Sequence, residues 1–112
     1  MKIFINPAKS ELKGFGLTSR KKSMNVLNGN EQRRLGVIAV ILKAPDMAFN
    51  DFNALLHQFS NIIVGRMGIP YKERGISVVS VIVDGTNDEI GALTGKIGQL
   101  PDVSVKSVLT RI

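Results

Sequence analysis

Residues 35–42 read LGVIAVIL, eight residues without a charge, rich in β-branched side chains and apolar on both faces that a strand presents in alternation. A strand that is wet on neither side belongs inside a sheet, covered above and below. Residues 76–84, ISVVSVIVD, repeat the pattern, with Val79, Val81 and Val83 on one side and Ile76, Val78 and Ile82 on the other. Two such strands rule out an all-helical fold. Residues 103–112 differ, because Val103, Val105 and Leu109 alternate with Ser104, Lys106 and Thr110, as expected of an edge strand with one wet face. NIIVGRMGI, residues 61–69, reads as a further edge strand.

Helical periods fill the gaps. Asp46 is the expected N-cap of a helix over 46–59, with Ala48, Phe52, Leu55, Leu56 and Phe59 as its apolar stripe. Pro70 to Gly75 form a charged reversal. Thr86 and Glu89 have capping-box spacing ahead of a second helix with Ile90, Leu93, Ile97 and Leu100 on its apolar side; Pro101 and Asp102 end it. The order β-α-β-β-α-β over residues 35–112 predicts an α+β, ferredoxin-like domain: a four-stranded antiparallel sheet with both helices on one face, the first and third strands central. Its other face would be left apolar and in need of cover, which a second copy is expected to give, with the N-terminal segment as the rival. A domain of this size is marginal alone, which also favours a homo-oligomer, dimer or tetramer.

The chain has 112 residues and a formal charge of +6, unevenly spread. Residues 1–34 hold eight basic and two acidic side chains; residues 35–112 hold seven of each. The excess belongs wholly to the first segment, where no period persists and a flexible basic arm is expected, with a short strand at residues 2–5 as an option. Lys9, Lys13, Arg20, Lys21, Lys22, Arg33 and Arg34 could contact the phosphates of DNA, with affinity falling steeply as salt rises. The alternative is a solvated tail. Any DNA contact should vanish when the arm is removed.

The absence of Cys excludes disulfides, iron–sulfur clusters and thiolate metal sites. His57 is the single imidazole. The opening apolar run, residues 3–5, is too short for a signal peptide and no window spans a bilayer, so a cytoplasmic protein with no membrane partner is expected. No cofactor, metal site or catalytic residue is indicated. Asp84, Asp88 and Glu89 cluster, but capping and the helix dipole account for Asp88 and Glu89, and neither a base nor a nucleophile accompanies them. The chain is expected not to be an enzyme.

Three blocks carry a resemblance: GRMGIPYKERG, VDGTNDEIGALTGKIG and LPDVSVKS, linked within residues 62–110 and preceded by RLGVIAVIL. Together they resemble the iron-only hydrogenase system regulators, small ferredoxin-like proteins close to ACT-like domains and to the C-terminal sensory domains of nickel regulators. The resemblance covers residues 35–112 and leaves the arm outside. It implies a regulatory domain linked to the iron-only hydrogenase system, sensing a small-molecule or protein effector and acting in transcription regulation. By the ACT-like analogy a pocket would lie near residues 43–47, at a subunit interface. The nickel site does not carry over, since one His and no Cys cannot supply its ligands.

Within those blocks, Arg66, Tyr71 and Arg74 are candidates for an anionic ligand, by way of the guanidinium fork. The competing reading makes Gly65 and Gly68 a structural bulge in an edge strand, with solvated arginines. Gly91, Gly95 and Gly98, at i, i+4 and i+7, point to close packing against a helix or another subunit, with a ligand cradle as the alternative. They are no phosphate loop, because Lys96 is followed by Ile97.

Overall fold

The computed structural model describes residues 2–6 and 32–111. Its elements are β1 (Lys2–Ile5), β2 (Arg33–Leu42), α1 (Pro45–Gln58), β3 (Ile63–Tyr71), β4 (Ile76–Thr86), α2 (Asn87–Gly98) and β5 (Val103–Thr110), with single 3₁₀ turns at Ser60–Ile62 and Lys72–Arg74. The expected order from residue 35 onward is present. The arm cations Lys9, Lys13, Arg20, Lys21 and Lys22 lie outside the described residues.

All pairings are antiparallel, in the order β1-β3-β4-β2-β5. β2 and β4 are central, as their two apolar faces require. The sheet has five strands rather than the expected four, and β3 is not an edge. Residues 2–5, grouped by sequence with the arm, pair along β3 from Lys2↔Gly68 to Ile5↔Gly65 and take the edge in its place. Arg33 and Arg34 likewise belong to β2, so the folded unit starts before Leu35. Asn6 secures the end of β1: its Nδ2 donates to the carbonyls of Ser60 (3.1 Å) and Ile63 (2.8 Å), and its backbone N–H to that of Val64 (2.9 Å). The bulge expected near Gly65 is present as a register shift between Ile63 and Gly65.

Alternation sorts the sheet into a helix-covered face and an open one. Ile38, Val40 and Leu42 of β2 and Val79, Val81 and Val83 of β4 are buried against α1 and α2. From the helices, Ala48, Phe52 and Leu56 and then Ile90, Leu93 and Ile97 close the same core, while Leu55, Phe59 and Leu100 pack around it. Both apolar stripes therefore face where the period places them.

The two helix starts differ. α1 begins one residue earlier than expected, with Ala44 rather than Asp46 in the cap position, no side-chain cap, and Pro in its first turn. Proline has no N–H to leave unsatisfied there, which makes it a suitable opener. At α2 the capping box is complete: the Glu89 N–H donates to Thr86 Oγ1 at 3.1 Å, and the Thr86 N–H to Glu89 Oε1 at 2.9 Å. Thr86→Ala is expected to cost about 1 kcal/mol, lowering the thermal midpoint by roughly 4–8 °C for a domain of this size. An unchanged midpoint in a calorimetric scan would mean that the box adds nothing.

Candidate functional site

Two features stand out: the uncovered face of the sheet, and a cavity on the covered side at its β1 edge. Leu35, Val37, Ala39 and Ile41 of β2 align with Asp84, Ile82, Ser80 and Val78 of β4, and Met67, Ile69 and Tyr71 of β3 extend the row toward Ile3 and Ile5 of β1. Among the described residues eleven large apolar side chains are strongly exposed, and all but Phe4 stand on this face. Ile82 is 43% exposed and Val108 66%. Scattered apolar residues are ordinary on a surface, but a contiguous set on one sheet face is not.

The cavity, about 290 Å³, lies where β1 and β3 meet the C-terminal half of α1. Asn53, His57 and Ser60, at i, i+4 and i+7, turn one side of α1 and the turn after it toward the opening. Phe4, Leu56 and Ile63 supply apolar wall. Arg66 reaches in from β3 and donates from Nη1 to Asn53 Oδ1 at 2.8 Å. Among the described residues the lining contains Arg66 as its cation and no carboxylate. Water is partly displaced in such a recess, so the guanidinium attracts an anion more strongly than a fully solvated arginine would.

The three residues proposed for an anion do not come together. Arg66 pairs with Val81 on the helix side, while Tyr71 pairs with Ile76 and points to the open face; Arg74 lies in the turn that follows. Of the three, Arg66 alone lines the cavity. Gly91 and Gly95 have nothing within 4 Å of where a Cβ would stand, so no helix among the described residues packs on them. Gly98 does meet a neighbour, with Val105 Cγ1 3.3 Å from the Cβ position. Arg33 is engaged by carboxylates: its Nε is 3.3 Å from Asp84 Oδ1 and its Nη1 3.8 Å from Glu89 Oε1, and it also donates to the Asp84 carbonyl. Arg34 is half-buried, its Nε enclosed without a hydrogen-bond partner among the described residues. Two of the cations assigned to nucleic acid are thus built into the domain.

Asn53, Asn6, Phe4 and Ser60 were not anticipated as site residues. The helical spacing of Asn53, His57 and Ser60 was available in the sequence; the approach of β1 was not. The loop at residues 43–47 lies at the opposite end of α1 from the cavity. Among the described residues no helix is long and apolar enough to cross a membrane.

An antiparallel sheet with two helices on one side and the ferredoxin-like order of strands defines a small α+β module of the kind that regulatory proteins use. Residues 34–107 match the model of the TM1266-like, iron-only hydrogenase system regulators, and the chain belongs to that family. Among solved structures, the uncharacterized protein TM1266 from Thermotoga maritima is 34% identical, with a TM-score of 0.68, over 71% of this chain and 100% of that one. No curated protein matches the chain. The family match begins at Arg34, so β1, with Phe4 and Asn6, lies outside it.

Proposed function

We propose that this chain is a non-enzymatic regulatory module of the iron-only hydrogenase system, that it acts as a homo-oligomer whose copies meet through their open sheet faces, and that it answers to an effector. The regulatory part follows the family. The apolar open face carries the self-association. When a surface meets its own copy, charge at its centre would oppose like charge. Here the centre is Val37, Ala39, Val78 and Ile82, while Asp84 stands toward the strand ends and Lys106 on the edge strand β5. At a spacing of about 4.8 Å and a rise of about 3.3 Å per residue, five strands of these lengths offer a face of roughly 650 Å². Two such faces bury on the order of 1,300 Å², above the roughly 1,000 Å² that a specific interface needs. Catalysis finds no support in the acidic cluster, since Asp84 and Glu89 face Arg33.

Sedimentation velocity on the full chain and on Ile82→Lys tests the assembly. The wild type is expected to sediment as an oligomer and the variant as a folded monomer with unchanged circular dichroism. A wild type that stays monomeric at every concentration would sink the proposal and leave the face to another segment of the chain, such as residues 7–31. In a host lacking its own copy, the wild-type gene should restore hydrogenase expression and the Ile82→Lys gene should not.

A further inference from the structure

We infer that the cavity between β1, β3 and the C-terminal half of α1 binds a small organic carboxylate, anchored by Arg66. The Arg66 side chain is held in place by Asn53, which accepts from Nη1 and leaves the Nε and Nη2 donors as a bidentate edge. That edge matches the two oxygens of a carboxylate. A phosphate dianion would call for more than one cation, and the lining offers one arginine beside Asn6, Asn53 and His57. Phe4, Leu56 and Ile63 supply the surface for a short apolar body behind the acid group. Ligand sites run upward from about 300 Å³. At about 290 Å³ this one suits an amino-acid-sized or short-chain acid. β1 supplies the outer wall from beyond the family-matched residues, so the pocket is built by this chain's own N-terminal strand as well as by the family fold.

The pocket's regulatory meaning rests on the reading of the chain as an effector-responsive module, whereas carboxylate binding does not. His57 lines the cavity and is the only histidine, so its ring protons report occupancy without assignment ambiguity. Proton NMR of the full chain, titrated with benzoate, hexanoate, benzamide and inorganic phosphate, separates the classes. Benzoate and hexanoate should shift the His57 signals saturably, and benzamide and phosphate should not. Arg66→Ala should weaken benzoate binding roughly tenfold or more, with Arg66→Lys intermediate. Asn53→Ala, which frees the guanidinium and removes one polar group from the lining, should weaken it several-fold and serves if Arg66→Ala fails to fold. Equal response to benzoate and benzamide, wild-type affinity in both Arg66→Ala and Asn53→Ala, or saturation by phosphate alone would overturn the inference. Sedimentation with saturating benzoate then tests the regulatory link: saturable binding with unchanged assembly leaves the carboxylate site standing and counts against the effector reading alone.

Discussion

Phe52→Ala is expected to lower the unfolding free energy by about 3–5 kcal/mol, the range for removing a fully buried aromatic side chain. Phe52 is completely buried on α1, against the valines and isoleucines of β2 and β4, and its ring lies 6.4 Å from that of Phe49 at a tilt of 59°. A single domain has about 5–15 kcal/mol in all, so the variant should retain only a fraction of its stability and populate unfolded chains at ambient temperature. Urea titration followed by circular dichroism gives the number, at a fixed protein concentration because self-association would add to apparent stability. Phe52→Leu keeps most of the volume and should lose much less. A Phe52→Ala midpoint within error of the wild type would mean that the core does not centre on α1.

Gly65→Val should detach β1. A Cβ at Gly65 would stand 2.7 Å from the Phe4 carbonyl oxygen, a backbone atom that no side-chain rotation can move. The strand beyond has only four residues, and among the described residues its ladder partners lie on β3. An isolated edge of that length cannot absorb the clash by shifting register, because slipping one residue would turn Phe4 from the cavity to the open face. Hydrogen exchange should therefore rise at least about a hundredfold at the β1 amides bonded to β3 and stay near wild type in β2 and β4, since edge elements open independently of the central ladder. Uniform exchange in both regions would show that β1 is an inseparable part of the fold. Preserved protection in β1 would show that the ladder tolerates the side chain.

What the sequence made legible follows from the length and strength of each local signal. β2 and β4 are long, continuous and apolar on both faces, so their central positions could be read directly. The capping box fixed the start of α2 because two side chains three residues apart serve each other's backbone. α1 offered no such pair, and an isolated Asp46 was a poorer guide than Pro45, whose ring pre-sets the first helical residue. β1 was hardly legible, since four residues carry little period and the strand pairs across some sixty positions with β3. That pairing also closes the cavity, so the part of its wall that Phe4 and Asn6 form was out of reach of local reasoning. Tyr71 was different: five residues separate it from Arg66, an odd number, which already sets the two on opposite faces of one strand. For the glycines of α2, helical spacing reveals a shared side without revealing what stands opposite it; among the described residues Gly98 meets Val105, and Gly91 and Gly95 are left open to a second copy.

The N-terminal position of β1 has a temporal consequence. During synthesis residues 2–5 are made well before β3, their partner among the described residues, which begins at Ile63 and needs β4, ending at Thr86, to hold it in the sheet. A strand made before β2, β3 and β4 thus waits for β3 and β4 before it can be seated. Until then β3 presents an unpaired edge, open to any extended segment nearby. The wall that Phe4 and Asn6 give the cavity is therefore synthesised some sixty residues ahead of the strand that seats it.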